Sequence, residues 1–237
     1  MPRLKWIIAV PLAALLLVLG GTWTYINVLR DDAPARLVLE GNVSDNLPAT
    51  TATTAGAATA PASFDGTWVA STGSQAGYRV DEVLFGQNVE AVGRTSNVDG
   101  ALTIKGATVE SAAISIDLAS VESDESRRDN QFRGRIMNVA QYPTATFTLT
   151  SPIDLGTIPA DGATVTVPAT GELTLHGTKK TVTVDVTAKR SAGTIAVQGT
   201  IPVVFADYGI PSPSFGPAEV QDHGEIEFLV SFTRSNA

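Results

Sequence analysis

From residue 64 to the C-terminus, apolar and polar residues alternate with a period of two. Ile114, Ile116 and Leu118 are separated by Ser115 and Asp117, and Phe147 and Leu149 by Thr148. Leu173 and Leu175 alternate with Thr174 and His176; Val182, Val184 and Val186 alternate with Thr183, Asp185 and Thr187. Ile195 and Val197 repeat the pattern, as do Ile226, Phe228, Val230 and Phe232. Successive side chains of a strand point to opposite faces, so each segment offers one apolar and one polar face. Asp99-Gly100, Asp161-Gly162 and Ala192-Gly193 supply hairpin-type turns. The one helix candidate is short, residues 124–132, with Ser123 or Asp124 as its N-cap. The pattern predicts an all-β domain of about eight antiparallel strands with one short helical insertion, closed as a barrel or packed as a sandwich. Periodicity leaves open which of the two forms, and whether the interior is filled or hollow. An eight-stranded barrel is just wide enough for a slender ligand.

The N-terminus has a different texture. Residues 6–29 carry no charge and are mostly Ile, Leu, Val and Ala, a run long enough to cross the ~30 Å hydrocarbon core as a helix. Arg3 and Lys5 precede it and Asp31 and Asp32 follow Arg30, which places the N-terminus in the cytoplasm and the rest outside. A cleaved signal peptide is the rival reading. Leu19-Gly20-Gly21-Thr22 is followed by bulky Trp23, and the apolar run exceeds a usual signal core, so an uncleaved signal anchor fits better. Either form exports the domain. Residues 36–40 read as a short strand or a membrane-proximal stalk. Residues 44–63, nearly all Ala, Thr, Pro and Gly, read as a flexible tether, because they have too little apolar area to offset ordering. The expected organisation is an anchor over 1–30, a linker over 31–63 and a β domain over 64–237.

Charge and residue inventory narrow the function. Sixteen Lys plus Arg stand against 24 Asp plus Glu, which disfavours a nucleic-acid partner. The absence of cysteine removes disulfides, thiol nucleophiles, Cys-bound zinc and a lipoprotein anchor. There are two histidines, and no nucleophile elbow, zinc-protease helix or phosphate loop. Asp222-His223 near Glu225 reads as a surface turn before the last strand rather than a metal site, and Asp185 and Asp207 show no partner for paired-carboxylate chemistry. The expectation is therefore a non-enzyme with no catalytic residue, no metal and no cofactor.

Four marks then occur in order: Ser126-Arg127-Arg128-Asp129-Asn130-Gln131-Phe132, Gln141-Tyr142-Pro143-Thr144-Ala145-Thr146-Phe147, Gly171-Glu172-Leu173-Thr174-Leu175-His176-Gly177 and Asp207-Tyr208-Gly209-Ile210. Together they resemble the YceI-like family of exported bacterial proteins, also called the polyisoprenoid-binding family. Arg128-Asp129 before Phe132 is similar to the family's Arg-Asp-x-x-Leu, Tyr142-Pro143 before Phe147 to its Tyr-Pro-x-x-x-Phe, and the glycine-flanked stretch to its Gly-x-Leu-Thr-x-His-Gly. Tyr208-Gly209-Ile210 stands where the family has Phe-Gly-Ile. The chain departs from the pattern at Val204-Phe205-Ala206-Asp207, which lacks the family's Arg, and in the opening strand from Gly77 to Phe85.

The resemblance implies an extended, lipocalin-like antiparallel β-barrel whose tunnel holds a polyisoprenoid, an isoprenoid quinone or another long amphiphile, in a periplasmic or secreted protein and as a homodimer. Burial of such a tail yields about 25 cal/mol per Å² before binding costs. On that reading Arg128, Asp129 and Tyr208 meet the head group at the mouth, and Phe85, Phe132, Phe147 and Phe205 line the wall. Each has a plainer role available. Arg128 and Asp129 would form an ion pair closing the barrel, the phenylalanines would be ordinary core, Tyr142-Pro143 would shape a strand start, and His176 would orient a turn. The expected function is a membrane-tethered, extracytoplasmic lipid binder; the alternatives are an envelope structural or interaction domain with a filled barrel, or a lipid-modifying enzyme.

Overall fold

The structure is a computed structural model and describes residues 33–39, 64–84, 86–191, 193–214 and 218–235. The expected anchor and most of the expected linker lie outside the described residues. Among the described residues no helix is long and apolar enough to cross a membrane.

Thirteen strands form one sheet: β1 (Gly66–Ala70), β2 (Gln75–Leu84), β3 (Gln87–Thr95), β4 (Val98–Lys105), β5 (Thr108–Asp117), β6 (Glu122–Ser123), β7 (Thr144–Leu149), β8 (Ile153–Asp154), β9 (Thr164–Leu175), β10 (Thr178–Ser191), β11 (Thr194–Val204), β12 (Ala218–Val220) and β13 (His223–Arg234). Among the described residues the α-helix α1 (Ser126–Gln131) sits in the connection from β5 to β7. Neighbours in the wall are β1, β4, β5, β7, β9, β10, β11 and β13, and β13 pairs with β1 to close an eight-stranded antiparallel barrel. The sandwich alternative is thereby excluded. β13 also pairs with β2 through Glu225↔Arg79 and Phe228↔Ala76, and β2 pairs with β3 along its whole length. β1 and β2 thus act as one bent strand, as do β3 and β4. Buried Ser74 stitches the first bend: its Oγ donates to the Ser71 carbonyl at 2.7 Å and accepts from the Ser231 amide at 3.1 Å.

The alternation read from the sequence sets which face turns inward. The even residues of β5 from Ala112 onward, the even residues of β10 and β13 and the odd residues of β7, β9 and β11 face the interior, in the registers Ile114↔Phe147, Phe147↔Leu173 and Val197↔Val230. At the β9–β10 turn, His176 and Gly177 both take positive φ (50° and 75°), the geometry that matches strand twist in a two-residue hairpin. The His176 Nδ1 lies 3.2 Å from the Tyr208 carbonyl, so the ring ties this turn to a neighbouring loop.

Two local expectations are corrected. Asp99-Gly100 is not a turn; it lies inside β4. A Cβ on Gly100 would sit 2.5 Å from the Ala113 carbonyl oxygen, so the glycine there permits close approach of β5 instead. The helix is capped by neither Ser123 nor Asp124: Glu125 is the N-cap and makes no side-chain cap bond. Asp129 takes up the local donors, its Oδ1 accepting from the Ser123 amide at 2.9 Å and the Ser123 hydroxyl at 2.6 Å.

Candidate functional site

The inward faces do not meet in the middle. Two cavities occupy the interior, one of about 650 Å³ and one of about 190 Å³. Ile116, Ala145 and Ile226 line both, so the cavities are adjoining chambers of one barrel. The inner chamber is walled by Phe147, Phe228, Val186, Val197 and their neighbours, with Lys189 and Arg190 at its far end. The outer chamber has the same aliphatic character but also carries Glu82, Glu125, Arg127, Arg128 and Gln131.

The aromatic rings explain how an eight-stranded barrel stays open. Phe147, Phe228 and Tyr78 face inward, and each ring lies across a glycine on a neighbouring strand. A Cβ added to Gly171 would lie 2.3 Å from Phe147, one on Gly199 2.5 Å from Phe228, and one on Gly93 2.4 Å from Tyr78. A glycine under the ring lets it lie flat on the wall. Any larger residue there would push the ring toward the lumen.

The connection after β5 builds the mouth. Asp117 caps a 3-10 turn at Leu118–Ser120 by accepting the Ala119 amide at 2.9 Å. α1 then runs into a wide turn over Phe132–Ile136, closed by the Met137 amide donating to the Phe132 carbonyl at 2.8 Å. This turn presents Phe132, Ile136 and Met137 to the outer chamber. Arg135 donates to the Ser212 and Pro213 carbonyls, each at 2.9 Å, and so joins the insertion to the loop before β12. Phe132 stacks on Tyr78 with centroids 5.0 Å apart. Burial raises the Tyr78 phenol well above its ordinary value, the nearby Arg128 charge opposing.

Arg128 is the charged residue that holds the rim. It donates to Glu82 Oε1 at 3.3 Å and pairs with Asp124. Burial works against its charge, but Asp124 and Glu82 more than offset that and raise its pKa. Glu82 is buried and faces inward among Tyr78, Val80 and Leu84. Of the residues expected from the sequence, Arg128, Phe132 and Phe205 line the outer chamber and Phe147 the inner one. Asp129 is buried against Ser123 rather than against Arg128, and lines neither chamber. Tyr208 is buried in the core; its carbonyl accepts from Thr178 at 3.4 Å and its ring faces Lys180. Phe85 lies outside the described residues.

Sequence reasoning missed Tyr78 and Glu82. The signal was present: Tyr78, Val80, Glu82 and Leu84 share one strand face, and a lone Glu on an apolar face is unusual. His223 lies 2.8 Å from the exposed Asp222 on the outside, and the hydrogen bond from His223 lowers the Asp222 pKa. Among the described residues no cluster of His, Asp and Glu is placed to hold a metal.

Comparison with known proteins accords with this geometry. Protein YceI of Escherichia coli O157:H7 is 33% identical over 96 residues, 39% of this chain and 46% of that protein; the Shigella sonnei protein gives the same figures. The chain thus spans about half the length of the curated relatives it matches. A polyisoprenoid-binding domain from Saccharophagus degradans, implicated in plant cell wall breakdown, superposes with a TM-score of 0.59 at 20% identity, covering 72% of this chain and 99% of that one. BcnA from Burkholderia cenocepacia superposes with a TM-score of 0.51 at 24% identity, covering 70% and 95%. Those two likenesses show the fold. The profile of the YceI-like domain matches residues 68–232, nearly all of the barrel, and on that ground the chain belongs to the YceI-like family.

Proposed function

We propose that this protein is a membrane-tethered, extracytoplasmic lipid binder that shelters a polyisoprenoid or similar long-chain amphiphile inside its barrel. The observation that carries the reading is the pair of adjoining apolar chambers, with carboxylates and arginines gathered at the outer one and Lys189 and Arg190 at the far end of the inner one. A long tail matches that shape: apolar contact along its length and a polar site at one end. Arg128 and Glu82 are the groups for the head, with Tyr78 and Phe132 stacked beside them. Phe205 would contact the outer part of the tail and Phe147 the inner part. The description of the Saccharophagus degradans domain as polyisoprenoid-binding supports the same ligand class. Anchoring rests on the uncharged run at 6–29 with its flanking charges.

The test is native and denaturing mass spectrometry of the full chain purified from a bacterial membrane, with organic extraction of the bound material. An isoprenoid or other long-chain lipid at near-stoichiometric level is the expected result. An empty protein that also fails to take up added isoprenoid quinones would refute the reading in favour of a structural or interaction domain. The intact mass reports whether the N-terminal run is retained, and the native mass reports whether a homodimer forms.

A further inference from the structure

The outer wall of the barrel over β2, β3, β11 and β13 should be polar and solvated, yet part of it is among the most buried surface in the protein. Arg79, Glu227, Leu229 and Ala196 all point outward by strand parity, and they are 4%, 2%, 2% and 5% exposed. Residues 33–39 cover them. Leu37 and Leu39, both buried, pack with Leu229 and Ala196, while Val38 between them faces solvent. The segment's polar atoms are also matched. Arg79 donates to the Pro34 carbonyl at 2.6 Å and to Glu90 at 2.7 Å. Arg94 donates to the Ala35 carbonyl and to Glu227 Oε1 at 2.7 Å. The Leu37 amide donates to the second oxygen of Glu227 at 3.4 Å, and the Leu39 amide to Gln198 at 3.1 Å. Arg36 pairs with Glu225 at 2.5 Å. An outward face with two arginines and a carboxylate aimed at the backbone of one segment is a built site for that segment.

The register gives the segment a direction. Arg36 meets Glu225, Leu37 meets Glu227, and Leu39 reaches Gln198, which pairs with Leu229. The segment therefore runs along β13 from the end that carries the outer chamber toward the end that carries the inner one. The described N-terminal end of the segment lies by Arg79, the strand partner of Glu225, on the side of Gly224, Glu82 and the mouth. Three residues separate residue 33 from the uncharged run, a reach of about 10–14 Å.

From this geometry we propose that residues 33–39 are a strap that docks on the outer wall and turns the mouth of the barrel toward the membrane. The orientation rests on the signal-anchor reading of the N-terminal run; the strap itself does not. A lipid would then pass between bilayer and outer chamber over a short gap, with the charged rim at the membrane surface. The inner-chamber end would point away from the membrane, about 30–40 Å distant along the twelve residues of β13.

The chain has no cysteine, so introduced thiols report cleanly. In the full chain, oxidation of a Leu39→Cys, Ala196→Cys pair should close an intramolecular disulfide, and Val38→Cys with the same partner should not. No disulfide, or one joining two chains, overturns the strap. Should the pair fail to fold, trypsin reads the same contact in the unaltered chain: slow cleavage after Arg36 supports docking and rapid cleavage overturns it. For orientation, a dye at Ser126→Cys beside the mouth and one at Thr157→Cys at the opposite end are compared in vesicles of phosphatidylethanolamine and phosphatidylglycerol carrying head-group nitroxides. Quenching at 126 but not at 157, lost in Leu37→Asp, is the expected result. Equal quenching at both positions, or quenching at 157 alone, overturns the orientation. An intact mass trimmed after the apolar run refutes the anchor and with it the orientation, while the disulfide still judges the strap.

Discussion

Ala145→Phe is the most direct test of a continuous tunnel. Ala145 is buried, faces inward, and lies where the two chambers meet. A ring placed there closes the passage at the inner boundary of the outer chamber and leaves the charged rim untouched. The inner chamber of about 190 Å³ has room for roughly six water-sized, hence methylene-sized, groups at ~30 Å³ each. At ~0.8 kcal/mol per buried methylene the gross loss is about 5 kcal/mol. Ordering of the tail offsets around half of that, leaving about 2–3 kcal/mol, or roughly 30- to 150-fold in Kd. The assay is binding of two isoprenoid quinones with the same head group, one with a tail of two isoprene units and one with a tail of eight. The long-tailed quinone should lose that factor and the short-tailed one should lose little. Overpacking would itself lower stability by about 1–3 kcal/mol, so circular dichroism must show the variant folded at the assay temperature. Equal loss for both tails, or no loss for the long one, would refute a tail passing Ala145.

Gly199→Val should force the Phe228 ring off the wall, destabilise the protein by about 1–3 kcal/mol and weaken long-tail binding, both partly restored by Phe228→Leu; binding unaffected by the valine would show that the ring does not border the ligand path. Arg128→Ala removes a charged partner of buried Glu82, which should cost about 1–3 kcal/mol and lower Tm by some 2–10 °C, with Arg128→Lys intermediate; an unchanged Tm would show that the pair contributes nothing. Burial raises the Tyr78 pKa above its ordinary 10.0, so its contribution is fully present below about pH 10 and is lost as pH rises through the folded value. Spectroscopic titration should therefore show Tyr78 ionising only as the barrel unfolds at alkaline pH; a reversible titration of this ring in the folded state would contradict its burial.

Much of the wall is legible in the sequence. A period of two names the inward face of each long strand, because a pleated backbone can point side chains only two ways. The turn beside His176 and the short helix were likewise visible, since such signals act over a few residues, but the helix cap was not, because the Ser123 hydroxyl is taken up by Asp129 and Asp124 pairs with Arg128. Glu82 could have been found by the same parity argument. What periodicity could not supply was the fate of the inward side chains. Phe147 and Phe228 look like core in sequence, and whether they fill the lumen depends on Gly171 and Gly199, residues brought beside them only by pairing. The mouth also needed the fold, because Arg128 and Glu82 are 46 residues apart in sequence and meet only when the insertion folds over β2. The outer wall is the sharpest case. Sequence parity puts Arg79 and Glu227 on the polar face, and that is where they are. Only the tertiary structure decides that residues 33–39 cover them, because strand parity says which way a side chain points and nothing about what comes to lie over it.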